Sequence, residues 1–179
     1  MKSKALITIL ILSIIISSCT PKVYFTSEIR ERVEGANISL KDLQYYNDVK
    51  LTLKRELESG KTQVESGEVK LENGKYIHYI ILKPKTPGVC KHIYSNQLSI
   101  AFEQGPNKIL DFGKPKGGYD FSPYQIYANE WNNNVGMIMY EGKEYYIQPN
   151  GSHAKLMIKK SALNKIDIEK RKMKGVRLE

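Results

Sequence analysis

The chain is 179 residues long, 41% apolar and 9% aromatic, with a formal net charge of +9. That is enough chain and enough apolar surface for one domain with its own core, which excludes a disordered tail. Two cysteines exclude a disulfide scaffold, and three histidines leave little for a self-contained zinc site.

Residues 1–18 stand apart from the rest of the chain. Lys2 and Lys4 make a positive start, residues 5–16 are apolar except Thr8 and Ser13, and Ser17-Ser18 place small residues before Cys19. This is the layout of a secretory signal. Twelve helical residues reach roughly 18 Å, short of a hydrocarbon core of about 30 Å, so the segment is too short for a membrane span. Ile16-Ser17-Ser18-Cys19 resembles the lipobox of bacterial lipoproteins. The resemblance covers the signal segment and implies diacylglyceryl transfer to the Cys19 sulfur, cleavage before Cys19 and acylation of the new α-amine. Two or more acyl chains hold a protein stably on its membrane. Thr20, not Asp, follows Cys19, with no acidic run after it. Under the sorting rules of some lipoprotein families this implies outer-membrane delivery with the body in the periplasm. The expected organisation is a signal peptide over 1–18, a lipidated tether over 19–26 and a single β-rich domain over 27–179. No cofactor is expected beyond the acyl chains on Cys19.

Removing Lys2 and Lys4 from the total of +9 leaves +7 for the mature chain, with a basic concentration between Lys155 and Arg177. An exported lipoprotein rarely meets nucleic acid, so the expected partners are the membrane through its anchor and an envelope protein or anionic envelope polymer, with no nucleic acid. A solvated basic face is the plainer explanation of the same charge.

In chain order, residues 27–33 read as about two helical turns capped by Ser27, and Gly35 ends them. Ser39 as cap, Asp42 at the third position and an Ile38–Leu43 staple predict a second short helix over 40–46. The period then changes to two. Val49, Leu51 and Leu53 alternate with polar residues, and Val69 and Leu71 lead into Asn73-Gly74, a strong hairpin signal. Residues 76–82 are apolar on both faces except His78, which predicts an interior strand closed by Pro84, Pro87 and Gly88. Strands are expected around Leu98–Phe102, over 109–112, 124–128 and 135–140, then over 144–148 after Glu141-Gly142 and over 156–158 after Asn150-Gly151. Residues 113–123 are the least regular stretch, and the alternation of Ile166 and Ile168 favours a last strand over a basic helix. The sum is a mainly β fold, an antiparallel β-sandwich or small β-barrel with one or two short N-terminal helices.

No catalytic residue emerges. Cys90 and His92 lie two apart, so a regular strand would send both to one face, and His78 would complete a soft metal site or help activate the thiol. A small buried Cys beside a surface His explains the same pair. Ser152-His153-Ala154-Lys155 spells S-x-x-K, but the chain is much too short for the penicillin-binding fold. In the irregular stretch, Lys114 and Lys116 with Tyr119 and Phe121 suit an anionic or sugar ligand, or simply a connecting loop. Trp131, within an Asn-rich run, is either an exposed anchor on a polar turn or a ring buried under the sheet. Lipocalin-type lipoproteins are similar in length and strand content but carry an early Gly-x-Trp, and here the only Trp is at 131. The body resembles small uncharacterised envelope lipoproteins of Gram-negative bacteria, a likeness that transfers no site residue. The leading expectation is a non-enzymatic binding or structural module anchored in the outer membrane. The alternatives are an envelope hydrolase or metal-dependent enzyme using Cys90, His92 and His78, and a carrier of a small apolar ligand.

Overall fold

The computed structural model describes residues 21–58, 64 and 66–168. The expected signal peptide over 1–18 and Cys19 lie outside the described residues, as do 169–179. Thr26 opens the first helix, α1 (Ser27–Gly35), by accepting a hydrogen bond from Ile29 N at 3.2 Å; the cap is one residue earlier than Ser27. Before it runs β1 (Lys22–Tyr24), and after it come a 3-10 turn (Leu40–Asp42) and β2 (Gln44–Asn47). Next are β3 (Leu51–Glu56), β4 (Glu68–Glu72), β5 (Lys75–Leu82), β6 (Pro87–Ile93) and β7 (Gln97–Ala101). Beyond these lie β8 (Leu110–Gly113), β9 (Gln125–Ile126), β10 (Glu130–Asn132), β11 (Val135–Tyr140) and β12 (Lys143–Ile147). A 3-10 turn (Pro149–Gly151), β13 (Leu156–Lys159) and α2 (Lys160–Ile168) complete the described chain.

The strands form two antiparallel sheets, a first in the order β1-β13-β2-β6-β7-β8-β9 and a second in the order β10-β11-β12-β3-β5-β4. The chain changes sheet between β2 and β3, β5 and β6, β9 and β10, and β12 and β13. One core joins the inner faces: Tyr45, Leu98, Ile100 and Phe112 from the first sheet meet Leu51, Leu53, Tyr145 and Ile147 from the second. The fold is therefore mainly β and sandwich-like, as the period-two alternation predicts. The first sheet also curls until β9 meets the start of β13: Ile126 N donates to Ala154 O and Leu156 N to Tyr124 O, at 2.8 and 2.9 Å.

Local chemistry accounts for the hairpins. At Asn73-Gly74 both residues have positive φ, 50° and 77°, which matches the right-handed twist of β4 and β5 and which Gly adopts without steric cost. β5 is interior, flanked by β3 and β4 as its apolar character demands.

Four expectations change. The helix expected over 40–46 is a single 3-10 turn leading into β2. Ser39 does cap it, accepting from Lys41 N at 3.2 Å, but two helical turns nucleate poorly and β2 instead pairs on both edges, with β13 and β6. The tether expected over 19–26 ends sooner, because Val23 already pairs with Ile158 and Phe25 is fully buried. Pro87 and Gly88 do not close β5 but begin β6, opposite Tyr46 and Tyr45. Ile166 and Ile168 belong to α2, which packs against α1.

Candidate functional site

The cleft that gathers sequence-predicted residues lies where the chain leaves the first sheet through β9 and enters the second through β10. The crossover is short and tied to both sheets: Tyr127 N donates to Asp111 O at 2.7 Å and Asn129 N to Met137 O at 2.9 Å. Trp131 on β10 sits opposite Gly136 on β11. Gly136 is needed there for close approach, since a Cβ would lie 2.7 Å from Trp131 Cζ3 and 2.8 Å from Ala128 Cβ. The indole thus lies across Gly136 while 43% of the residue stays exposed. It is neither a free anchor on a turn nor a ring buried under the sheet, but a strand residue forming one wall of an open cleft of about 800 Å³.

Three classes of side chain line this cleft. The amides Asn96, Gln97, Gln125, Asn129 and Asn134 come from the β6–β7 turn, β7, β9, the crossover and the β10–β11 turn. The aromatics are Tyr127 and Trp131, and the basic residues are Lys114, Lys116 and His153; among the described residues no Asp or Glu joins the lining. Lys114 comes directly after β8; its backbone N–H donates to Asn96 O at 3.1 Å, which fixes the loop at the cleft. Its Nζ pairs with Asp120 at 2.7 Å, whereas Lys116 is exposed and has no ion-pair partner among the described residues. The cleft therefore holds one engaged and one available lysine.

Of the five candidate ligand-binding residues read from sequence, Lys114, Lys116 and Trp131 converge here. Tyr119 and Phe121 do not line the cleft. They stack on each other, with centroids 5.1 Å apart and planes 8° from parallel, and both are about two-thirds exposed. Their loop is held by local turns and by Glu28 N donating to Asp120 O at 3.2 Å. The amides and Tyr127 were missed by sequence reasoning; the Asn-rich run around Trp131 was their one visible signal.

His78, Cys90 and His92 do not assemble. Cys90 pairs with Ile100 but His92 pairs with Ser99, because a bulge between them shifts the register. The extra residue turns His92 to the face opposite Cys90, so the same-face expectation fails. Cys90 is buried, with Sγ 3.4 Å from His92 O, and desolvation pushes its thiol pKa up, the reverse of nucleophile activation. His78 lies in the other sheet, buried, with its nitrogens 2.5 Å from Ser66 O and 2.8 Å from Tyr145 Oη. Among the described residues no group of three His, Cys, Asp or Glu is placed to hold a metal. The S-x-x-K pair is equally inert: Ser152 Oγ donates to Pro149 O at 2.9 Å, while Lys155 Nζ lies over the Tyr24 ring.

A second cavity of about 230 Å³ opens between apolar Leu51, Leu53, Ile80 and Phe102 and polar Lys83 and Glu103. It is smaller than the roughly 300–1,000 Å³ of small-molecule sites. No family model, curated protein or solved structure matches the chain. Among the described residues no helix is long and apolar enough to cross a membrane.

Gly136 gives a direct check on the wall of the cleft. Gly136→Val is expected to lever the sole indole off its seat and to lower stability by roughly 1–3 kcal/mol. Tryptophan emission should shift to the red in the folded variant; an unchanged spectrum would show that Trp131 does not rest on this glycine.

Proposed function

We propose that this chain is an outer-membrane-anchored periplasmic lipoprotein without catalytic activity, whose β-sandwich holds an anionic envelope polymer in the cleft between β8, β9 and β10. The observation that carries the binding half of this reading is the lining itself. Residues as distant as Asn96 and His153 meet there, with basic residues, amides and two half-exposed rings but no carboxylate among the described residues. Such a wall attracts an anion and lacks the pair of carboxylates that most glycoside hydrolases use.

The anchoring half rests on the likeness of Ile16-Ser17-Ser18-Cys19 to a lipobox. Three residue steps separate Cys19 from Lys22, where β1 begins, and they span at most about 11 Å. An acylated Cys19 would therefore hold the sandwich close against the bilayer, within reach of polymers next to it. Cys19→Ala is expected to abolish palmitate labelling and move the protein from the membrane to the soluble fraction; a variant that still labels and sediments would refute the anchor. The binding half is tested by sedimentation with isolated anionic envelope polymer at low and high salt. Exchanging Lys114 and Lys116 for Ala should reduce the bound fraction severalfold at low salt, where charge is least screened. Equal retention of both proteins would place the contact elsewhere.

A further inference from the structure

We infer that the polymer segment seated in the cleft is a saccharide bearing both acetamido groups and sparse carboxylates, an inference that rests on the anionic-polymer reading and narrows its chemistry. The amides are the first reason. Each Asn or Gln presents a donor and an acceptor together, and five of them line the cleft, Asn129 Nδ2 already donating to Met137 Sδ at 4.0 Å. Sugar hydroxyls and acetamido groups offer both roles in return. A polyphosphate offers acceptors only, which would leave the amide carbonyls without donors, at a cost wherever water is excluded.

The rings are the second reason. Trp131 lies against Gly136 and lines the cleft, and Tyr127 lines it from the crossover, 46% exposed. A pyranose presents a flat patch of C–H groups whose slight positive charge suits the negative face of an aromatic ring.

Charge density is the third. Lys114 is already paired with Asp120, so Lys116 is the lysine of the described lining left to meet an acid. A nucleic acid or polyphosphate, with a charge every few ångströms, is held by several cations together. A single available lysine matches a polymer with a carboxylate once per repeat. An acidic peptide added as a strand fits less well, because on the outer edge of β9 Ile126 N already donates to Ala154 O and Tyr124 O accepts from Leu156 N.

The chain has a single Trp, so its fluorescence reports on the surroundings of Trp131. The experiment titrates the full chain, expressed with its own N-terminus and purified in detergent, with four probes. These are a hyaluronan hexasaccharide, which alternates glucuronate with N-acetylglucosamine, neutral chitohexaose, polyphosphate and poly-L-glutamate. Saturable change of Trp131 emission is expected with both saccharides, about tenfold tighter for hyaluronan. Lys116→Ala should weaken hyaluronan about tenfold, to the level of chitohexaose, with a smaller effect on chitohexaose and none on the thermal unfolding midpoint. Trp131→Ala, monitored by calorimetry, should weaken both saccharides, and Trp131→Phe should restore part of the loss. Polyphosphate or polyglutamate binding as tightly as hyaluronan would overturn the saccharide while leaving the anionic-polymer reading intact. Silence with all four probes would overturn both.

Discussion

Phe25→Ala is expected to destabilise the fold by about 3–5 kcal/mol, while Tyr24→Ala, one residue earlier, is expected to cost under about 1 kcal/mol. Phe25 is fully buried, and its ring meets Tyr45 edge-on at 5.5 Å and Tyr124 at 5.1 Å. Truncation would leave a hole between two large rings and remove both edge-to-face contacts. Its backbone is engaged too: Phe25 N donates to Leu156 O, and Phe25 O accepts from Tyr124 N, each at 2.8 Å. Tyr24 points the other way and is 43% exposed, with Lys155 Nζ 5.3 Å above its ring. For a domain of this size the Phe25 substitution should lower the thermal midpoint by roughly 6–20 °C. Circular dichroism melts of the two variants decide the matter. Equal, small effects would mean that residues 22–26 are a linker; the predicted contrast makes them part of the sandwich.

The contrast also shows what kind of information the chain carries locally. Turns and alternation are local properties, so the hairpin at Asn73-Gly74, the turn at Glu141-Gly142 and the strand over 135–140 could be read directly. β1 and β2 could not, because β1 pairs with β13, more than a hundred residues later, and β2 lies between β13 and β6. Ser39 and Asp42 make a sound helix start, but the residues beyond it gain more from pairing on two edges: the Tyr45 hydroxyl donates back to Leu40 O at 2.9 Å, and the Gln44 amide donates to Gly88 O at 2.7 Å. Ile166 and Ile168 have strand spacing, yet among the described residues no strand pairs with them.

The cleft obeys the same logic. Lys114, Lys116 and Trp131 were visible because a charged irregular loop and a lone Trp are conspicuous types. Asn96, Gln97 and Gln125 are ordinary strand and turn residues until a crossover between sheets brings them together. The bulge that parts Cys90 from His92 leaves no mark in the spacing of the two residues. A register shift of one residue was enough to dissolve the most specific chemical motif in the body.

His78 shows why one of those candidate groups is nevertheless sensitive to pH. Ser66 O can only accept a hydrogen bond, so Nε2 of the ring carries the hydrogen and Nδ1 accepts from the Tyr145 hydroxyl. The neutral ring is thus satisfied at both nitrogens while only 1% of the residue is exposed. Burial lowers its pKa below the ordinary 6.5. The Ser66 carbonyl and Glu141 pull it upward, and Arg55, which sits opposite His78 on β3, and Lys143 press it downward. The unfolded chain takes up a proton at its ordinary pKa and the folded chain only at lower pH, so unfolding binds a proton between the two values. Stability from this group is full above about pH 6.5 and is lost as pH falls towards the folded pKa, at up to about 1.4 kcal/mol per pH unit. Urea unfolding at pH 7.5, 6.5 and 5.5 should show the midpoint falling with pH. His78→Leu should flatten that dependence while lowering stability by about 1–3 kcal/mol at neutral pH, because it strands the Tyr145 hydroxyl and the Ser66 carbonyl. A His78→Leu variant that retains the wild-type slope would show that some other group carries the titration.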